Sequence, residues 1–193
     1  MKRKRIKAAV CAAVMAFTLF GSVCPVDHHF MRETSVTASA EAAIWDGTED
    51  TSWYYREHDV VVSENGERIA IFNIRTAEEL AGLAKLVRNG NNMKNTMINL
   101  VSDVTLNDTT NFDNWDEQPP ANNWTAIGAV PIEAPNVNVV MTIQPEFRNT
   151  VFAGMFNGNG HTISGIYSLH HNYAGLFART SGIITNVIVK DSY

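Results

Sequence analysis

The sequence predicts a mainly β chain, a solenoid of stacked coils with one α-helix on its N-terminal side, and three observations carry that expectation. Phe152-Ala-Gly-Met-Phe156, followed by Ile163 and Ile166, recurs about 21 residues later as Tyr173-Ala-Gly-Leu-Phe177, followed by Ile184 and Val187. In that phasing Phe152 falls on Tyr173, Gly154 on Gly175, Phe156 on Phe177, Ile163 on Ile184 and Ile166 on Val187. The runs around Ile163 and Ile184 are rich in β-branched residues, which suit a strand. Asn157-Gly158-Asn159-Gly160, just before the first of these runs, supplies residues that adopt positive φ at a tight corner with little steric cost. A single coil buries too few apolar side chains to offset the entropy of ordering it, so such coils must stack. A period near twenty broken by Gly and Asn is the mark of that arrangement.

Along the chain, residues 1–40 read as a secretory signal peptide. Lys2-Arg3-Lys4-Arg5 and Lys7 precede an apolar run from Ala8 to Val23, and Ala38-Ser39-Ala40 offers small residues for cleavage before Glu41. The run is short for a permanent membrane anchor, and Gly21-Ser22-Val23 before Cys24 is a poor lipoprotein signal. Cleavage leaves 153 of the 193 residues, enough for one domain with a core. Six of the 15 basic and two of the 20 acidic residues lie in 1–40, so the remainder carries a formal net charge of −9. Such a chain repels nucleic acid and anionic lipid, and after cleavage it keeps no segment for stable membrane insertion. Both cysteines, Cys11 and Cys24, leave with the signal, so disulfides and thiol chemistry are excluded from the remainder.

Residues 41–75 read as N-terminal strands. Val60-Val61-Val62 and Ile69-Ala70-Ile71-Phe72 flank Glu64-Asn65-Gly66-Glu67, a hairpin with Asn-Gly at its turn. Residues 76–90 hold the helix, from about Ala77 to Asn89. Thr76 is its N-cap, Glu79 completes a capping box and Asn89-Gly90 stops it. Leu80, Leu83, Ala84 and Val87 make one apolar stripe, which suits a helix that covers the first coil and protects its strand edges. Residues 91–193 are the coils. Met97-Ile98-Asn99-Leu100 and Val104-Thr105-Leu106 alternate as strands of a first coil. Polar insertions follow at 107–123, with Pro119-Pro120, and at 129–150, where Val137, Val139, Met141 and Ile143 could form an extra strand. Insertions on one face of a solenoid often form its binding face.

Catalytic chemistry is nearly absent from the sequence. None of His28, His29, His58, His161, His170 and His171 has a Glu at the spacing of a zinc-binding helix, and adjacent histidines on a strand point to opposite faces. Asp108, Asp113, Asp116 and Glu117 lack the spacing of a calcium loop. No nucleophile elbow and no phosphate-binding glycine loop occurs. No cofactor or metal is therefore expected. The flat rings that could face a ligand are Trp53, Tyr54, Trp115 and Trp124. Stacking on sugar is one role for the N-terminal aromatics, and anchoring their segment to the body is the commoner one.

Trp45-Asp46-Gly47, Thr76-Ala77-Glu78-Glu79-Leu80-Ala81-Gly82-Leu83-Ala84, Trp124-Thr125-Ala126-Ile127-Gly128, Phe156-Asn157-Gly158-Asn159-Gly160-His161-Thr162-Ile163 and Ala174-Gly175-Leu176-Phe177 together resemble the N-terminal region of bacterial secreted and cell-surface proteins carrying GLUG-type repeats. The resemblance covers most of Ile44 to Val189 and implies a right-handed parallel β-helix that is secreted or held at the bacterial cell surface. It departs at Ala178 and Arg179, where such repeats carry Gly, and in the length of the 129–150 insertion. The family includes adhesin-like stalks and non-catalytic parts of IgA-cleaving metallopeptidases. The expected function is a non-catalytic adhesion or scaffold module that meets host glycan or cell-wall polymer. The alternative is the accessory start of a secreted metallopeptidase or polysaccharide-degrading enzyme; Arg148, Arg179 and Lys190 are nearly all the positive charge in the repeat, too little for a lyase of acidic sugars. The sequence stops just after a strand, so the expectation includes downstream repeats or another partner at that edge.

Overall fold

The computed structural model describes residues 43–129, 150–169 and 174–193. The signal segment, the alternating Val137 to Ile143 run, Tyr173, and His28, His29, His170 and His171 lie outside the described residues.

The hairpin forms as the sequence predicts. Strand β1 (Asp59–Val62) pairs antiparallel with β2 (Arg68–Ile74), Val60 opposite Ala70. Gly66 takes φ +80° at the turn, and Ser63 N–H closes the loop on Glu67 O at 2.9 Å. Helix α1 (Ala77–Arg88) follows. Its Thr76 hydroxyl accepts from Glu79 N–H at 3.2 Å, but the Glu79 carboxylate reaches past the cap residue to accept from Arg75 N–H at 2.8 Å. Arg56 binds the same carboxylate at 3.2 Å, and this draws Glu79 into the interior, where it is only 5% exposed. Leu80, Leu83 and Val87 are fully buried and share one core with Ile74, Ile98 and Leu100.

The helix is covered on its other side as well. Asp50 N–H donates to Glu78 O at 2.8 Å, and Trp53 Nε1 donates to Glu79 O at 3.0 Å. Gly82 allows this approach, because a Cβ there would lie 1.9 Å from Asp50 O.

Beyond the helix, short strands build two sheets. β3 (Thr96–Leu100), β5 (Met155–Asn157) and β7 (Ile183–Thr185) extend the hairpin into a five-stranded sheet ordered β1-β2-β3-β5-β7. β4 (Val104–Thr105), β6 (Thr162–Ser164) and β8 (Ile188–Lys190) make a three-stranded sheet in that order. Every pair except β1–β2 is parallel. Ile98, Phe156 and Ile184 fall opposite one another in the first sheet, and Val104, Ile163 and Val189 in the second. Isolated parallel bridges join Ile44 to Thr105, Ile127 to Phe177 and Phe152 to Thr180. The described chain is thus mainly strands in parallel sheets, with one helix.

This register corrects the 21-residue phasing. Ile163 and Ile184 lie in different sheets: Ile163 pairs with Val189 and Ile184 with Phe156. Phe156 does not fall on Phe177, which bridges to Ile127, and the glycine seated against Gly154 is Gly182 rather than Gly175. The observed offset is 28 residues from Phe156 to Ile184 and 26 from Ile163 to Val189. Two causes combine. The aromatic-x-Gly-x-Phe pattern occurs once at β5, in the large sheet, and once at Phe177, which bridges to Ile127 outside the named strands, so matching it aligns different elements. The corners also differ in length, with four residues between β5 and β6 but two between β7 and β8. The corners still share a conformation: Asn159 and Asn186 take φ +51° and +53°. Such values are uncommon for side chains other than Asn, Asp and Gly.

Candidate functional site

The aromatics singled out as possible ligand-facing rings do not converge. Trp53 is buried, packs edge-on against Phe72 at 5.4 Å and uses its indole N–H on Glu79 O. Tyr54 is half-buried and stacks on Phe72 at 5.2 Å. Trp124 is buried edge-on against Trp45 at 5.9 Å, and its Nε1 has no partner among the described residues. Trp115 is buried edge-on against Phe112 and Tyr167. Trp53, Trp115 and Trp124 are thus spent on packing, and they border three separate clefts rather than one platform.

The largest of these clefts, about 430 Å³, opens between the N-terminal segment and the first polar insertion. Its size lies within the range of small-ligand sites. Ile44 is fixed to the second sheet by its bridge to Thr105, and Trp45 N–H donates to Thr105 O at 3.0 Å. The facing wall leaves the sheet at Asn107, which is 2% exposed. Asn107 Nδ2 donates to Asn122 O and to Gly165 O, both at 2.9 Å, while Asn107 Oδ1 accepts from Asn122 N–H at 3.0 Å. Asn122 Nδ2 in turn donates to Trp45 O at 2.6 Å. Four short bonds from two amides therefore pin both ends of the insertion to the N-terminal segment and to Gly165, just after β6. Between them, the short 3₁₀ turn Phe112–Asn114 sets Trp115 on the cleft's inner side.

Two carboxylates line this cleft, Asp46 and Asp108. The Thr48 hydroxyl and N–H, at 2.6 and 2.8 Å, hold the Asp46 carboxyl below its ordinary value. Thr110 N–H, at 2.9 Å, and then its hydroxyl do the same for Asp108. Hydrogen bonds to the charged form favour ionisation, so both carry negative charge at neutral pH. Among the described residues, no Lys, Arg or His lines the cleft. Some carboxylates elsewhere pair with cations: Glu49 bridges Lys85 and Arg88, and Glu79 meets Arg56, while Asp103 lies 3.2 Å from His161 Nδ1 and accepts Thr162 N–H at 2.9 Å.

Sequence reasoning named Trp115 and Asp108 but missed the roles of Trp45, Asp46, Asn107 and Asn122 at this cleft. The available signal was the pairing of Trp45-Asp46-Gly47 with Asn107-Asp108, two segments with an acidic residue beside a group that leaves a strand. Among the described residues, no three His, Cys, Asp or Glu side chains gather as metal ligands, and no helix is long and apolar enough to cross a membrane.

Comparisons add no relative: no protein-family model, no curated protein and no solved structure matches the chain.

Proposed function

We propose that this chain is an exported, non-catalytic module of a bacterial surface protein, built as the opening of a right-handed parallel β-helix and used in adhesion or as a scaffold. The observation that carries the reading is the parallel register of equivalent side chains in two sheets at once, Ile98-Phe156-Ile184 and Val104-Ile163-Val189. The return of the chain to the same two sheets in parallel, after 58 and 59 residues and then after 28 and 26, supports winding over a sandwich, whose strands run antiparallel. The hairpin and helix belong to the first turn. At the other end Ile184 and Val189 are 38% and 45% exposed, although the residues they pair with, Phe156 and Ile163, are fully buried. Further coils of the same kind fit there, and they would cover those side chains and the strand edges.

Export is supported by the basic and apolar character of residues 1–40. The likeness to GLUG-repeat surface proteins supports the same placement. A scaffold role is supported by polar side chains spent on caps and corners, such as Thr76 and Asn159, and host glycan or cell-wall polymer is the partner class such a surface meets. Expression of the full chain in a bacterial host tests the reading. A product outside the cytoplasm whose N-terminal sequence starts at Glu41 is expected. Retention in the cytosol with residues 1–40 intact would overturn it.

A further inference from the structure

The large sheet, ordered β1-β2-β3-β5-β7, begins at β1, and all four residues of that strand are exposed. Val60, Val61 and Val62 keep 40%, 45% and 64% of their surface in solvent. Proteins ordinarily blunt such an edge with lysine, proline or a bulge, because its free backbone groups invite another strand. Asp59–Val62 contains neither lysine nor proline and pairs with β2 residue for residue. The hairpin's own hydrogen bonds show which groups this edge offers. In an antiparallel pair, bonded and non-bonded residue pairs alternate. Ser63 N–H donates to Glu67 O, so counting back along the register makes Val61–Ile69 and Asp59–Ile71 bonded pairs, and Val62–Arg68 and Val60–Ala70 non-bonded ones. Ala70 agrees with this phase, since its N–H is spent on the opposite side, on Asn95 O at 3.0 Å. Val60 and Val62 therefore turn their N–H and C=O groups outward.

That spacing is self-complementary. A second β1 laid antiparallel about a two-fold axis at Val61 sets Val60 against the partner's Val62 and Val62 against the partner's Val60, so each outward donor meets an outward acceptor. A shift of two residues breaks the match, setting Val62 against the partner's His58 or Val60 against the partner's Glu64. The symmetric register also keeps carboxylates apart: Asp59 comes opposite the partner's Ser63, and His58 beside the partner's Glu64. Like charges directly opposite are destabilising, whereas β-branched cross-strand pairs are favourable.

We propose that β1 is a self-association edge, through which two copies of this chain join β1 to β1 about a two-fold axis at Val61 and merge their five-stranded sheets into one. The contact is one strand wide, so the dimer is weak and reversible. It leaves β7, at the other end of the strand order, for further coils. The proposal goes beyond the surface-module reading and stands on the hairpin alone.

Sedimentation velocity of the full chain tests this. A concentration-dependent dimer is expected, and Val61→Lys is expected to weaken it at least tenfold by opposing two ammonium groups at the axis. Unchanged circular dichroism of that variant separates lost pairing from lost folding. Cysteine trapping locates the contact independently, in a chain with Cys11 and Cys24 replaced by serine. A residue on the axis meets its own copy as a non-bonded pair, about 4.5 Å between Cα atoms, within the reach of a disulfide. Val61→Cys is therefore expected to cross-link two copies rapidly. Glu64→Cys, also exposed, lies six positions from its own copy in this register, roughly 20 Å away, and is expected to cross-link at least tenfold more slowly. Three results would overturn the proposal: a chain that stays monomeric, a dimer that Val61→Lys leaves intact, or Glu64→Cys cross-linking as fast as Val61→Cys.

Discussion

Phe156→Ala is expected to cost about 3–5 kcal/mol, the range for removing a fully buried aromatic ring. Few side chains bear on as many parts of the fold. Phe156 stands between Ile98 and Ile184 in the parallel ladder of the large sheet, has no exposed surface, and meets Phe177 at 5.4 Å with the rings at 74°. Phe177 is itself tied to Ile127 by a parallel bridge outside the named strands. The cavity left by alanine would lie between the large sheet and Phe177, and β5 and β7, of three residues each, have little freedom to collapse into it. Urea denaturation followed by tryptophan fluorescence measures the loss. A change below about 1 kcal/mol, the scale of a surface substitution, would mean that the ring is not the centre of the packing.

The second large effect is expected at a residue with no side chain. Gly82→Ala introduces a methyl group 1.9 Å from Asp50 O and 2.5 Å from Asp50 C, and both neighbours are backbone, so no rotamer change relieves the clash. Alanine is the better helix former, so an isolated helix would gain from the exchange. Overpacking commonly costs about 1–3 kcal/mol, and here the clash wins because the segment over the helix is fastened nearby by Asp50 N–H on Glu78 O and by Trp53 on Glu79 O. Hydrogen exchange locates the damage: amides of residues 45–56 are expected to lose protection first, since that segment can lift while the parallel sheets persist. Stabilisation by alanine would show that the crossing segment does not rest on the helix.

These two sites mark where sequence reading succeeds and where it stops. The helix was legible because its signals are local. Thr76, the apolar stripe of Leu80, Leu83 and Val87, and Gly90 each act within a few residues of themselves. The Asn65-Gly66 hairpin was legible for the same reason. Register was not, because it depends on how many residues each corner consumes. The corner after Asn157 takes two residues more than the one after Thr185, and that difference is invisible to a comparison that looks for repeated aromatic and glycine patterns. Gly82 reads as an ordinary weak point of a helix until the crossing of Asp50 gives it a cause.

The cleft was the least legible feature. Its walls come from segments far apart in the chain, joined by Asn122 on Trp45 O across 77 positions, and nothing local announces that contact. Trp115 was identifiable as a notable ring, but burial against Phe112 and Tyr167 leaves it only a rim to offer. A search for exposed aromatic platforms therefore points at the right loop for the wrong reason.

Stacking of successive turns is the claim on which the rest stands, and disulfide trapping measures it most directly. In a chain with Cys11 and Cys24 replaced by serine, cysteines at Asn157 and Thr185 sit on adjacent parallel strands in direct register, within the reach of a disulfide. Rapid cross-linking of that pair under mild oxidation is expected, with none between cysteines at Ser164 and Thr185, which the 21-residue phasing would bring together. Cross-linking of Ser164→Cys to Thr185→Cys, with Asn157→Cys left free, would contradict the stacking.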